Sequence, residues 1–293
     1  MTSPSMLDRS SIQTRQAALR AQSVRELTPT SGGVADLSEL WRYRHLVLLL
    51  ALRNLRARYK QTALGFLWAI LAPVGFTTIF VIFFRIVPVN AAGSIPYVPT
   101  VFAGMVVWQF FNRALVDGGS SLTANSNLIT KVYFPRLALP ISALLAALCD
   151  FLVSCVILSF LVVAYGLWPG PRLIAAPFVV AYLFILGLGF SLWLSAIDGL
   201  WRDLRHALPL LLQLGMFVSP VAYITGALVP EKWRNLYEWN PMVAPIEAFR
   251  WAVLGGQAPS GEALLKSGLV VATLLISGTI FFVRIQRTIV DRI

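Results

Sequence analysis

The sequence predicts an all-α integral membrane protein. It has six transmembrane helices, an amphipathic interfacial helix ahead of them, and two short outer helices between spans five and six. Three observations carry this expectation. The 293-residue chain is 57% hydrophobic and only 13% charged, whereas soluble domains carry roughly a quarter charged residues. Its apolar residues fall into runs of about 20, the length a helix needs to cross a bilayer. Its cations sit at the ends of those runs. Six crossings leave Arg85, Arg172, Lys232, Arg234, Arg250 and Lys266 on outer segments and the remainder of the 24 Lys and Arg on inner ones, as the orientation rule for cytoplasmic loops requires.

Residues 1–36 are polar, mixed in charge and rich in Ser, Thr and Gln, with no apolar stretch of the kind a cleavable signal needs. They read as a poorly ordered cytoplasmic tail. Residues 37–60 read as the interfacial helix. Leu37, Leu40, Trp41, Leu48, Leu52, Leu55 and Tyr59 recur at steps of three and four, with Arg42, Arg53, Arg56 and Lys60 elsewhere on the wheel. A basic helix with such a stripe lies in the membrane surface; packing on a soluble partner is the alternative. The Leu46–Leu52 run is too short to cross. The basic cluster Arg53, Arg56, Arg58 and Lys60 then meets an uncharged run from Gln61 to Phe84, which marks this junction as cytoplasmic.

Residues 61–293 form the six-span domain. Span one covers Thr62–Phe84 and contains Gly65, Pro73 and Gly75, residues that membrane helices tolerate but that loosen them. Span two, Tyr97–Arg113, is rich in aromatics. A polar connector, Asp117–Arg136, leads to span three, Leu137–Tyr165, with Asp150 inside it, and span four runs over Leu173–Ile197. A charged turn at 198–206 precedes span five, Ala207–Ala227. The outer segment 228–261 breaks into Glu231–Trp239 and Ile246–Leu254 at Asn240-Pro241 and stops at Gly255-Gly256. Span six is Ala263–Val283, which places both termini in the cytoplasm.

Few chemical motifs stand out. The net charge of +11 does not indicate nucleic-acid binding, because the cations flank apolar runs. His45 and His206 are isolated. Cys149 and Cys155 are six apart, off any shared helix face, and read as buried apolar filler. No G-x-x-x-x-G-K-[ST] occurs, so the chain has no P-loop of its own for ATP. Asp150 is costly at membrane depth. With no second intramembrane acid or histidine to form a relay, it reads as a hydrogen-bonded or ion-paired group within the bundle, with proton coupling as the alternative.

Several segments together resemble one family. The cationic helix entering Tyr59-Lys60-Gln61-Thr62-Ala63-Leu64-Gly65-Phe66-Leu67-Trp68 with Pro73 beyond it is similar to the start of the ABC-2-type permeases, the exporters of polysaccharide, O-antigen and teichoic acid. Asn127-Leu128-Ile129, Phe134-Pro135-Arg136, Trp201-Arg202-Asp203 and Asn240-Pro241 with Arg250 resemble that family's inner loops and outer hairpin. The resemblance covers residues 38–290 in order. It implies a permease working as two copies with two separate ABC ATPase subunits, which bind the ATP and Mg; this chain itself takes no cofactor. It further implies ATPase-coupling contacts at Asn127, Phe134, Pro135, Arg136, Trp201, Arg202, Asp203 and Arg205. For the two arginines, plain topogenic charge is the alternative. The substrate path or gate then involves Tyr59, Phe66, Phe110, Phe111, Phe217, Tyr223, Asn240, Pro241 and Arg250, where aromatics also serve as packing or interfacial belts.

The expected function is that of a non-enzymatic permease subunit of an ATP-driven exporter in the bacterial inner membrane. It moves a lipid-linked polysaccharide, with lipids and no nucleic acid as further partners. A membrane-embedded polymerase or ligase would need an outer acid–base cluster, and the outer acids here are spaced like helix-surface pairs. A secondary transporter would show an internal repeat and several intramembrane polar residues, and neither is evident.

Overall fold

In a computed structural model, the structure describes residues 40–60, 67–84, 95–131, 134–201 and 203–290. Among them all regular structure is helical. The helices are α1 (Arg44–Tyr59), α2 (Trp68–Phe84), α3 (Tyr97–Gly119), α4 (Ser121–Ala124), α5 (Ser126–Ile129) and α6 (Ala138–Ala164). After a 3-10 turn at Gly170–Ala175 come α7 (Ala176–Asp198), α8 (Leu204–Val218), α9 (Thr225–Leu228), α10 (Glu231–Tyr237), α11 (Val243–Leu254) and α12 (Gly261–Val290). Three stretches are long and apolar enough to cross a membrane: Ala138–Ala164, Gly170–Asp198 and Gly261–Ile285. The tail at 1–36 and the residues joining α1 to α2 lie outside the described residues.

Helix α3 is the centre of the bundle, buried along almost its whole length and packed between α6 and α7. Its ring-rich face fills the core. Phe110 stands edge-on to Phe151 and Phe111 to Phe190, at 5.6 and 5.5 Å between centroids, geometries that aromatic quadrupoles favour. Small residues bring the backbones together where lipid offers no hydrophobic drive for association. Gly118 faces Ser191 of α7, whose Oγ donates to the Ala114 carbonyl at 2.8 Å. A Cβ on Gly278 would lie 2.9 Å from the Gly189 carbonyl, so α12 can sit directly on α7. Beside that contact Trp193 stacks on Phe281 at 4.4 Å and donates to Ser277 at 3.0 Å.

Three sequence expectations change, at the ends of the second and fifth helices and at the cysteines, and α1 shows which of its faces meets the bundle. The second helix runs on through Asp117 to Gly119, because Arg58 takes up the Asp117 carboxylate and the glycine pair packs on α7. The fifth helix ends at Val218 rather than Ala227. Ser219 precedes Pro220, whose ring disfavours helical backbone in the residue before it, and Ser219 is extended with ψ 152°. On α1 the buried residues are Val47, Leu50 and Ala51, while the Leu48 and Leu52 of the expected stripe stay exposed. Cys149 is exposed on the surface of α6 and Cys155 is half-buried. The hairpin break and its stop hold: Gly255 caps α11 with φ 79°, a conformation open to glycine.

Candidate functional site

The two ends of the bundle carry the polar chemistry. At the hairpin end, the break after α8 leaves backbone carbonyls without helical N–H partners in apolar surroundings, where each unsatisfied group costs several kcal/mol. Arg250, on α11, satisfies two of them, at Val221 and Tyr223, and also reaches the Thr100 carbonyl in the first turn of α3. Its Nε donates to the Thr100 carbonyl at 2.9 Å, Nη1 to Tyr223 at 2.9 Å and Nη2 to Val221 at 2.6 Å. The side chain is buried, and burial lowers its pKa to about 10, so it remains cationic at neutral pH. Gly104 on α3 makes room for it: a Cβ there would lie 2.5 Å from the Val221 oxygen and 2.6 Å from Arg250 Nη2.

Tyr223 Oη lies 3.1 Å from the Val218 carbonyl, 3.3 Å from that of Phe217 and 2.8 Å from Tyr237 Oη. With one proton to give, it donates to a carbonyl and accepts from Tyr237. Asn240 donates to Ser219 Oγ at 3.1 Å and accepts from the Met242 amide at 3.0 Å, and Ser267 donates to the Pro241 carbonyl at 3.0 Å. Lys266 fastens the start of α12 to the hairpin through Glu238 and Asn235, each at 2.7 Å, and Glu262 at 3.1 Å. A cavity of about 90 Å³ opens among Thr100, Ile224, Glu247, Arg250, Gln257 and Ala258. Burial pushes the Glu247 carboxyl above its ordinary value, and the attraction of Arg250 only partly offsets this.

At the other end, α1 reaches into the bundle. Arg58 contacts both Asp150 and Asp117, Arg113 donates to Asp150 at 2.5 Å, and the Tyr59 hydroxyl donates to Asp150 at 2.6 Å. Two guanidinium groups and two carboxylates thus join α1, α3 and α6, with Asp150 only 4% exposed. Of the rest of the basic cluster, Arg53 reaches Asn125 and Asn54, while Arg56 and Lys60 are exposed. A second hub is Asp198, at the end of α7 and 3% exposed. It accepts from Thr123 Oγ1 and takes Arg205 in a two-pronged pair at 2.7 and 3.0 Å, which ties α4 to the first turn of α8.

The residues named from the sequence therefore divide. Phe134 and Pro135 are buried: Phe134 packs with Val47, Leu50, Leu137 and Phe282, and the Pro135 carbonyl accepts the Ala138 amide at 2.9 Å as α6 begins. Arg136 is half-buried. Asn127, Trp201 and Asp203 are exposed, Trp201 by 67%. Arg202 and Phe66 lie outside the described residues. Phe110 and Phe111 sit inside the core, Tyr59 is in the Asp150 network, and Phe217 is 53% exposed with its ring 6.1 Å from Phe80. Tyr223, Asn240, Pro241 and Arg250 are brought together at the hairpin. Sequence reasoning passed over Arg113, Asp117, Asp198 and Gly104. The i, i+4 placing of Arg113 and Asp117 within reach of an intramembrane Asp150 was the available signal; Gly104 and Asp198 gave none.

Residues 45–254 match the ABC-2 type transporter family. The chain is 32% identical to the O-antigen export system permease protein RfbA of Myxococcus xanthus over 83% of this chain and 94% of that protein. It is 29% identical to the RfbA permease of Klebsiella pneumoniae over 72% of this chain and 81% of that protein. To the polysialic acid transport protein KpsM of Escherichia coli it is 27% identical, over 73% and 83% respectively.

Proposed function

This chain belongs to the ABC-2 type transporter family, and on that premise we propose that it is the transmembrane permease subunit of an ATP-driven polysaccharide exporter. The observation that carries the reading is its similarity, over 83% of this chain, to a permease named for O-antigen export, with a further likeness over 73% to a polysialic acid transport protein. An ABC ATPase supplies the energy, and ATP with its Mg binds there. The finer reading is a homodimer of six-span subunits in the bacterial inner membrane, with both termini cytoplasmic and a lipid-linked polysaccharide as cargo. The hairpin end then faces outward. The exposed Leu48, Leu49 and Leu52 of α1 support its seat in the membrane surface.

On this reading, Asn127, Trp201 and Asp203 meet the ATPase, because they are exposed, and Arg205, exposed as well, is engaged with Asp198. Asp198 makes α4 and the first turn of α8 one unit, so a push on either reaches α7 and α8 together. Phe217, exposed on α8, is the aromatic best placed to meet the glycan, and the Tyr223–Arg250 cluster holds the outer end of that helix. Deletion of the chain, followed by complementation, tests the proposal. Surface polysaccharide should disappear and return, and ATPase co-purifying with the permease should hydrolyse ATP faster with glycolipid. Unchanged surface polysaccharide on deletion would refute it.

A further inference from the structure

The outer cavity has features that the export reading alone does not explain. A guanidinium that is 6% exposed usually has a carboxylate partner, yet among the described residues no acid lies within ion-pair distance of Arg250. Its three bonds to carbonyls use three of five N–H groups. Glu247 stands one turn earlier on the same helix and lines the same cavity, which the exposed amide of Gln257 and the small residues Gly256 and Ala258 close from the loop side. One wall is thus a donor array, another an acceptor, and the pair is neutral. A neutral site with fixed donors and acceptors does not hold a free anion strongly, but it matches the alternating donor and acceptor character of adjacent hydroxyl groups.

We infer that this outer cavity is a contact site for one saccharide unit of the exported chain, with Glu247, Arg250 and Gln257 bonding to the hydroxyls along one ring edge. The inference rests on the polysaccharide-export reading. The size suits it. About 90 Å³ is the share of about three liquid waters, so the site takes the edge of a pyranose and leaves the rest of the chain outside. Ile95, Ile224 and Leu254 supply apolar wall for the ring carbons. Such partial seating binds weakly, as a site must if a polymer is to pass it unit by unit.

The test uses the full permease in cells making their own glycan, with the photo-cross-linker p-benzoylphenylalanine introduced at Ala258 and, as a control, at the exposed Phe160 on α6. Irradiation during export should give a sugar-staining adduct from position 258 and none from 160. Normalised to surface glycan, the adduct should fall about fivefold in Glu247→Leu and again in Gln257→Ala, the weakening one lost hydrogen bond brings. Gln257 is exposed in a loop, so the second variant keeps the test independent of folding. Three outcomes overturn the inference while export stays intact: an adduct without sugar, equal sugar adducts at both positions, or an adduct unchanged in both variants. Surface glycan that survives deletion of the permease would instead sink the export reading itself.

Discussion

Replacing Asp150 with Asn isolates the contribution of the inner network. The wild-type cluster balances Arg58 and Arg113 against Asp117 and Asp150. In Asp150→Asn, Arg58 keeps Asp117 but Arg113 loses its ion-pair partner, and the cluster becomes cationic in a setting where Asp150 is 5% exposed by side chain. Removing one partner of a buried ion pair costs about 3–5 kcal/mol. The two arginine side chains are 23% and 22% exposed, so water relieves part of the imbalance and the lower end, about 3 kcal/mol, applies. For a chain of this size that lowers the unfolding midpoint by roughly 6–12 °C, read by intrinsic fluorescence in nanodiscs. Adding Arg113→Gln restores neutrality and should recover more than half of the loss, a coupling that separates charge balance from simple packing damage. A double variant no more stable than the single one would refute the account. A single variant that is fully stable yet exports nothing would refute it too, and would point to proton transfer through Asp150.

Gly104→Ala should destabilise by about 1–3 kcal/mol, the usual cost of forcing extra volume into a packed core, because its Cβ would strike both the Val221 carbonyl and Arg250; a lowered unfolding midpoint checks this. Trp201→Ala and Asn127→Ala should change stability by no more than about 0.5 kcal/mol but weaken co-purification of the ATPase, whereas Arg205→Ala should lower stability by uncovering Asp198; equal ATPase recovery from the first two would remove them from the docking surface. Glu247 has a raised pKa in the folded protein, so the folded state holds its proton more tightly than the unfolded state does. Stability should therefore be greatest below the ordinary carboxyl value of 4.5 and fall as pH rises from there toward the folded value. Glu247→Gln should remove that dependence and unfold at a higher temperature near pH 7.

The helices were legible in the sequence because each needs only a run of apolar residues of sufficient length, and α6, α7 and α12 match the expected spans within a few residues except where α12 runs on past Val283. The end of α8 was not. Apolar composition continues to Ala227, and only the local effect of Pro220 on Ser219 stops the helix, a backbone constraint that hydropathy does not register. The face of α1 that meets the bundle was not legible either. Leucines occur on several sides of that helix, so periodicity could not tell which side meets the bundle, and Phe134, Leu137 and Phe282 decide it by receiving Val47 and Leu50.

The candidate site was legible where charge is rare and obscure where charge is common. Arg250, one of six cations on the expected outer segments, was picked out with Asn240-Pro241 by the family resemblance, and two of its bonds serve the backbone that Pro220 breaks. Arg58, by contrast, looked like one more member of a topogenic cluster, although it alone among those four reaches Asp150. The two ends also differ in how readily they can change. The inner network holds α1, α3 and α6 through side-chain ion pairs, so moving one helix relative to another separates opposite charges in a poorly solvated place. The hairpin end is held by N–H groups of Arg250 on two carbonyls of a non-helical segment and one of α3, and by Lys266 on three neighbours of which Glu262 is 81% exposed. The bonds of Arg250, which is 6% exposed, can pass only to a hydrogen-bonding group that enters the cavity beside it. On the proposed orientation, ion pairs at the α1 end carry a push between helices, and the hairpin end, held by Arg250 on backbone carbonyls, yields where an entering hydroxyl group replaces one of those bonds.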